Sequence, residues 1–146
     1  QPVHLFQDME TADRKWGIRA RYAYAHNTLL SYRTDLIFGS DAPVESPNPF
    51  WGMHAAVNRV NRNHGNGQEP WYPEECISLY EAIKGYTISP ANQTGQESVL
   101  GSLAAGKMAD LLVLGQDPFL IPPRELHTIK PDMVMVDGEW IIRTDQ

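Results

Sequence analysis

The sequence predicts an α/β body followed by an all-β tail, and three stretches carry that prediction. Val3 to Phe6, a helical pattern from Ile18 to Tyr32 and the apolar run Leu36 to Phe38 give a strand–helix–strand order. Such a unit normally makes a parallel pair with a right-handed crossover. The run Leu36 to Phe38 stops at Gly39-Ser40-Asp41, and Pro43, Pro47 and Pro49 keep the next residues out of regular structure. Near Gly101 the pattern changes to short apolar runs, ending in Met133 to Val136, Asp137-Gly138 and Trp140 to Ile142. Asp-Gly tolerates the positive φ angles of a type I′ turn, so the last stretch reads as a hairpin. The two units divide as residues 1–98 and 99–146. Two parallel strands cannot stand alone, because both faces need helices and both edges need partners.

At 146 residues the chain is long enough for one domain that buries roughly 70% of its unfolded surface. The net charge of −6 and the scattered Lys and Arg argue against a nucleic-acid surface, which needs clustered basic side chains to neutralise phosphates. No apolar run approaches the ~18 residues of a membrane span. The single cysteine, Cys76, excludes an internal disulfide and a cysteine-rich zinc site. It fits a reducing, cytoplasmic compartment. Gln1 rather than Met stands first, and Pro2 to Phe6 reads as the middle of an element, as in a fragment or a processed chain.

Thr11 caps a short helical turn to Trp16, closed by Gly17. Ile18, Tyr22, Ala25, Leu29 and Tyr32 then recur at helical spacing over about four turns. Gly52 to Val60 is a further helix, with Met53, Ala56, Val57 and Val60 on one side. Asn61 to Trp71 is a polar surface loop around Gly65 and Gly67. Pro73 suits a first helical position, and Glu74 and Glu75 suit the positive end of the helix dipole. Ile77, Tyr80, Ile83 and Tyr86 carry that helix through Ile88, with Cys76 as a small buried apolar residue. Ala91 to Thr94 makes a short helix stopped by Gly95. Asp110 to Leu114 is a strand broken by Asp117-Pro118, and Pro122-Pro123 keep the next segment irregular.

Ligands collect at the carboxyl ends of strands in parallel α/β sheets and barrels, because the loops converge there. Asp41 stands at such an end, placed for metal binding or acid–base work. The alternative is a capped, Asx-type turn, and the local pattern taken alone favours the turn. His4 stands near the end of the first strand, where an imidazole can bind a metal or hold a substrate, or serve as a hydrogen-bonded structural residue. His26, inside a helix with no ligand set near it, reads as structural.

The ordered set of stretches says more than any one of them. It comprises Gln1-Pro2-Val3-His4, Ala23-Tyr24-Ala25 with Leu29-Leu30, and Phe38-Gly39-Ser40-Asp41-Ala42-Pro43-Val44-Glu45-Ser46-Pro47-Asn48-Pro49. Ala55-Ala56-Val57-Asn58-Arg59, Glu81-Ala82 and Tyr86-Thr87 come next. It ends with Gly101-Ser102-Leu103-Ala104-Ala105-Gly106-Lys107-Met108-Ala109-Asp110-Leu111-Leu112-Val113-Leu114, Asp117-Pro118 and Val136-Asp137-Gly138. In this order they resemble the metal-dependent amidohydrolase superfamily, in its amidohydrolase-3 branch, over nearly the whole chain.

The resemblance implies the C-terminal part of a TIM-barrel, its last two strands and helices over residues 1–98, followed by part of a small β-sandwich over 99–146. It implies a hydrolase of carbon–nitrogen bonds of the non-peptide, amide type, with a small-molecule substrate and one or two divalent metals, usually zinc. Asp41 matches the aspartate that contacts metal and acts as general base toward a metal-activated water. A cation lowers the pKa of water towards ~7, and a nearby carboxylate accepts the remaining proton. His4 matches the histidine ending the seventh strand, which implies substrate binding rather than direct ligation. Glu45 matches as well, with no role implied. The family's His-x-His of strand one, its bridging lysine or carboxylate and its histidines of strands five and six have no counterpart here. One Asp does not hold zinc tightly, so the chain by itself is expected to be inactive. Ala42 stands where an aromatic residue is common, and His26 where Trp is common. The sheet edges are expected to be covered by the remainder of its own barrel or by a homo-oligomer partner. The alternative is a self-contained, non-catalytic module of barrel remnant and β tail, used for binding or oligomerisation.

Overall fold

In the computed structural model, which describes residues 1–61 and 67–143, the chain begins as helix rather than strand. A 3₁₀ turn, Pro2–His4, runs directly into α1, Leu5–Trp16. Leu5, Met9 and Ala12 recur at helical spacing and are buried, and the segment holds good helix formers without Gly or Pro. The strand expected over Val3 to Phe6 is therefore the start of this helix. A four-residue apolar run fits either period, and the longer pattern downstream decides between them.

The helix expected over Ile18 to Tyr32 is divided. A 3₁₀ segment, Gly17–Tyr22, and α2, His26–Ser31, are separated by an extended Ala23 and by Tyr24 at φ 53°. Two tertiary bonds hold Tyr24 in that turn. Its carbonyl accepts from Arg59 Nη1 at 2.8 Å, and its hydroxyl donates to Asp8 Oδ2 at 2.5 Å. Helix propensity is a weak prior against such bonds. Leu36 to Phe38 joins no β-ladder among the described residues: Phe38 N donates to Gly85 O at 2.8 Å, and Ile37 is 53% exposed. A strand needs a neighbour to take its backbone bonds, and no described strand pairs with this one. The two barrel strands expected in residues 1–98 are thus a helix start and an unpaired segment.

α3, Pro49–Asn58, follows its sequence signals. Asn48 Oδ1 accepts from Phe50 N at 3.0 Å, and Pro49 takes the first helical position. The helix ends at Arg59, which takes φ 50°. The tip of the expected polar loop, residues 62–66, lies outside the described residues. The helix expected from Pro73 to Ile88 is a 3₁₀ turn, Pro73–Glu75, an extended Cys76, and then α4, Leu79–Tyr86. Glu75 turns inward to accept from the Thr28 amide at 2.9 Å and from the Thr28 hydroxyl, so the first turn does not propagate. Ser78 restarts the helix by accepting from Glu81 N at 3.2 Å. α5, Ile88–Gln93, comes directly after.

In the tail, β1 (Leu111–Leu114), β2 (Pro131–Val136) and β3 (Glu139–Arg143) form an antiparallel sheet in that order among the described residues. Leu112 pairs with Val134, and Val134 with Ile142. Asp137 at φ 51° and Gly138 at φ 80° make the expected hairpin turn. Asp110 Oδ1 accepts from Asp137 N at 2.7 Å, and Lys107 Nζ donates to Leu100 O at 3.1 Å. The Gly-Lys-x-Ala-Asp stretch therefore straps the hairpin to the segment before it. Between β1 and β2 a 3₁₀ turn, Pro123–Thr128, sends Leu126 into the core, joined by Ile129; both pack with Phe50, Met53, Ala56, Ile77 and Ala82. No helix among the described residues is long and apolar enough to cross a membrane.

A buried polar cluster lies behind α3. Arg59 is 0% exposed, its Nε donates to Trp71 O at 2.6 Å, and its guanidinium stands 5.2 Å from the Trp71 ring centroid. His26, 7% exposed, has its ring 5.3 Å from that of Phe38. Burial, then the Arg59 guanidinium, pushes the His26 imidazole down to about 4. The imidazole is therefore neutral and structural in the fold. Its folded pKa lies below the unfolded value of ~6.5, so on acidification the unfolded state takes up the proton first. The stability it contributes is complete above ~6.5 and is lost as pH falls towards the folded pKa. The unfolding free energy of the intact protein is expected to drop by up to about 3 kcal/mol across that window from this group. Urea midpoints measured through the window check this, and His26→Phe should flatten that part of the profile.

Candidate functional site

His4 ends the opening 3₁₀ turn and serves as the N-cap residue of α1. Asp41 follows Gly39-Ser40 at φ 57°, a left-handed conformation that Asp tolerates better than most side chains. Val44 N donates to Asp41 O at 2.8 Å, closing a turn. Ala42 N donates to Ser40 Oγ at 3.3 Å. Ser40 thus occupies this local amide, and the Asp41 carboxylate reaches away from the turn. Its Oδ2 lies 3.4 Å from His4 Nε2, with the two side chains 54% and 23% exposed. The two residues singled out from the sequence are therefore neighbours. At that exposure an ion pair adds little stability, so the contact records only that the two groups stand side by side.

A second contact joins the same two elements: Gln7 Nε2 donates to Glu45 Oε1. Gln7 stands three residues after His4, and residues at i and i+3 share a helix face. Reading Val3 to Phe6 as a strand hid that relation. One turn on, Asp8 accepts from the Tyr24 hydroxyl. Burial, reinforced by this bond, holds the Tyr24 phenol above its usual range.

Behind the loop, the Phe38 and Tyr86 rings lie 5.6 Å apart, and the Tyr86 hydroxyl donates to Gly39 O at 3.4 Å. Burial pushes the Tyr86 phenol up to about 12, so it stays a donor. Two helical glycines make the room. A Cβ on Gly85 would stand 2.5 Å from Phe38 Cδ2, and one on Gly52 would stand 1.8 Å from Tyr86 Oη. Tyr86, which the sequence offered without a role, belongs to the seat of the Asp41 loop.

Carboxylate and imidazole are suitable donors for zinc or a similar cation, and both side chains are accessible. Two donors are half of a four-coordinate set. Among the described residues no group of three or more His, Cys, Asp and Glu side chains is arranged to hold a metal ion. What this pair can do is accept a proton at the carboxylate and keep it within reach of a second group.

Comparison with known proteins agrees with the ordered stretches. The model of the amidohydrolase family matches residues 1–142. A Bacillus subtilis protein named as an amidohydrolase, YtcJ, is 39% identical over 143 residues, which is 97% of this chain and 27% of that protein. The N-substituted formamide deformylase of Arthrobacter pascens is 37% identical over 111 residues, 76% of this chain and 20% of that enzyme. A crystal structure of an uncharacterized metal-dependent hydrolase from Pyrococcus furiosus matches with a TM-score of 0.56 at 32% identity, covering 75% of this chain and 21% of that one. The chain thus spans 20–27% of the length of these relatives. With the family pattern running through nearly all of its length, the chain belongs to the amidohydrolase family.

Proposed function

We propose that the intact protein hydrolyses a carbon–nitrogen bond of a small, non-peptide amide, with Asp41 as a ligand to a divalent cation and as general base. The observation that carries this reading is the Asp41 carboxylate, half exposed and 3.4 Å from His4, with the neighbouring Ala42 amide taken by Ser40. The name of the Arthrobacter relative, an N-substituted formamide deformylase, supports the amide class.

A divalent cation, zinc foremost, supplies Lewis acidity that lowers the pKa of a water towards ~7. Asp41 takes the proton of the attacking water and holds it until the departing nitrogen accepts it, since an amine leaves readily only once protonated. His4, beside the carboxylate, contacts the substrate. The rest of the ligand set comes from outside this stretch.

The architecture follows the same reading. Residues 1–98 would complete the C-terminal part of a (β/α)8 barrel, with the segment Leu36 to Phe38, unpaired here, taking its neighbours from the remainder of the protein, and 99–146 would belong to a small β-sandwich. Leu112, Val136, Ile141 and Ile142 are exposed on the sheet. That supports a cover formed by the remainder of the protein or by a second copy. A cytoplasmic setting suits the single thiol, Cys76, which is half-buried and pushed up by burial.

The test uses the intact protein with 4-nitroformanilide, an N-substituted formamide that releases coloured 4-nitroaniline, and with 4-nitroacetanilide. Turnover of at least one is expected, with loss on dialysis against a chelator and recovery on adding zinc. A protein that cleaves neither anilide, or that keeps full turnover after chelation, does not carry out this reaction.

A further inference from the structure

We propose that Gln7 and Glu45 form a clamp that sets the spacing between His4 and Asp41, and that both act as positioning residues. Their bearing on turnover rests on Asp41 being the proton acceptor; the clamp itself does not.

The loop and α1 meet at two points, His4 with Asp41 and Gln7 with Glu45. Both partners on the helix side come from the first turn and its approach, a rigid base because Leu5 and Met9 are buried beneath it. On the loop side, the Val44 amide bonded to the Asp41 carbonyl makes residues 41–44 one closed turn. Pro43 and Pro47 restrict the backbone on either side of Glu45. A displacement of Glu45 is therefore passed to Asp41 rather than absorbed between them. The rear of the loop has its own fixings in the Tyr86 bond to Gly39 and the Asn48 cap of α3. The front is tied by the two contacts with α1. The His4–Asp41 contact, at 3.4 Å, is too long to fix its own geometry, so the directional, neutral-to-charged bond of Gln7 to Glu45 is the stronger tie.

The chemistry of the pair allows a test by exchange. Gln7 donates and Glu45 accepts. E45Q keeps an acceptor oxygen, so the bond survives. Q7E sets two carboxylates against each other and breaks it. Q7E/E45Q restores it with donor and acceptor exchanged. Gln7 is exposed and Glu45 is half-buried, so these variants are expected to fold, with melting midpoints near that of the parent.

With 4-nitroformanilide and the intact protein, Q7E and E45A should lower kcat about tenfold with KM within about twofold. E45Q and Q7E/E45Q should stay within about twofold of the parent. Hydrogen exchange across residues 39–48 gives a readout independent of turnover: it should quicken in Q7E and slow again in the double variant. A kcat and exchange rate in Q7E equal to the parent's, or a double variant no better than Q7E, overturns the clamp. D41N measured alongside separates the two claims. If D41N is active, the functional reading fails while the exchange data still decide the clamp. If D41N is dead and Q7E is unaffected, the clamp alone fails.

Discussion

Asp41→Asn in the intact protein is expected to lower turnover about 10³-fold, which corresponds to about 4 kcal/mol of transition-state stabilisation. The substitution is close to isosteric, and Asn tolerates the left-handed backbone that Asp41 adopts at φ 57°. An amide oxygen can still face His4, so the loop has little reason to move. What is lost is the negative charge and the ability to take a proton. The fold should therefore report almost nothing, with a melting midpoint within a few degrees of the parent, while kcat collapses. Elemental analysis of the same sample divides the role. Lost turnover with metal retained assigns Asp41 to proton transfer alone, and loss of both makes it a ligand as well. Full turnover in Asp41→Asn removes it from the mechanism.

Arg59→Ala is expected to act in the opposite sense, destabilising the fold by about 4 kcal/mol through the loss of a buried, bonded cation. Its Nε and Nη1 hold the carbonyls of Trp71 and Tyr24, which belong to separate segments. Truncation leaves both acceptors without that donor in a place where Arg59 itself is fully buried, and opens a cavity beside the Trp71 ring. Arg59→Lys keeps the charge but offers a point donor in place of a planar fork, so it should recover only part of the loss. Denaturant unfolding of the three proteins measures the effect; a shift under about 1 kcal/mol in Arg59→Ala would show the bonds to be incidental.

Much of this was legible from the residues, for reasons that differ by element. The cap of α3 was readable because Asn48-Pro49 settles it within two positions, and the hairpin because Asp137-Gly138 settles it within two. Asp41 and His4 were identified by the order of stretches along the chain, and they do lie together. Two of the misreadings share one physical origin. At Tyr24 and Glu75 the local pattern was helical, but a distant segment made a stronger bond: Arg59 takes the Tyr24 carbonyl, and the Thr28 amide and hydroxyl take the Glu75 carboxylate. No window of neighbouring residues contains that information. The Gln7–Glu45 contact was hidden for another reason: taking Val3 to Phe6 as a strand places residues 4 and 7 on opposite faces, whereas the helix places them together.

Leu126 and Ile129 come from the segment that joins β1 to β2, yet they are seated on α3. α3 begins at the last residue of the Asp41 loop. The β tail and the loop therefore share one lever, a helix held at one end by the Asn48 cap and loaded along its side by the tail. A change in how the tail docks on α3 is expected to shift the Asp41 loop. Cutting the chain near residue 98 is consequently expected to unload the helix that carries the loop.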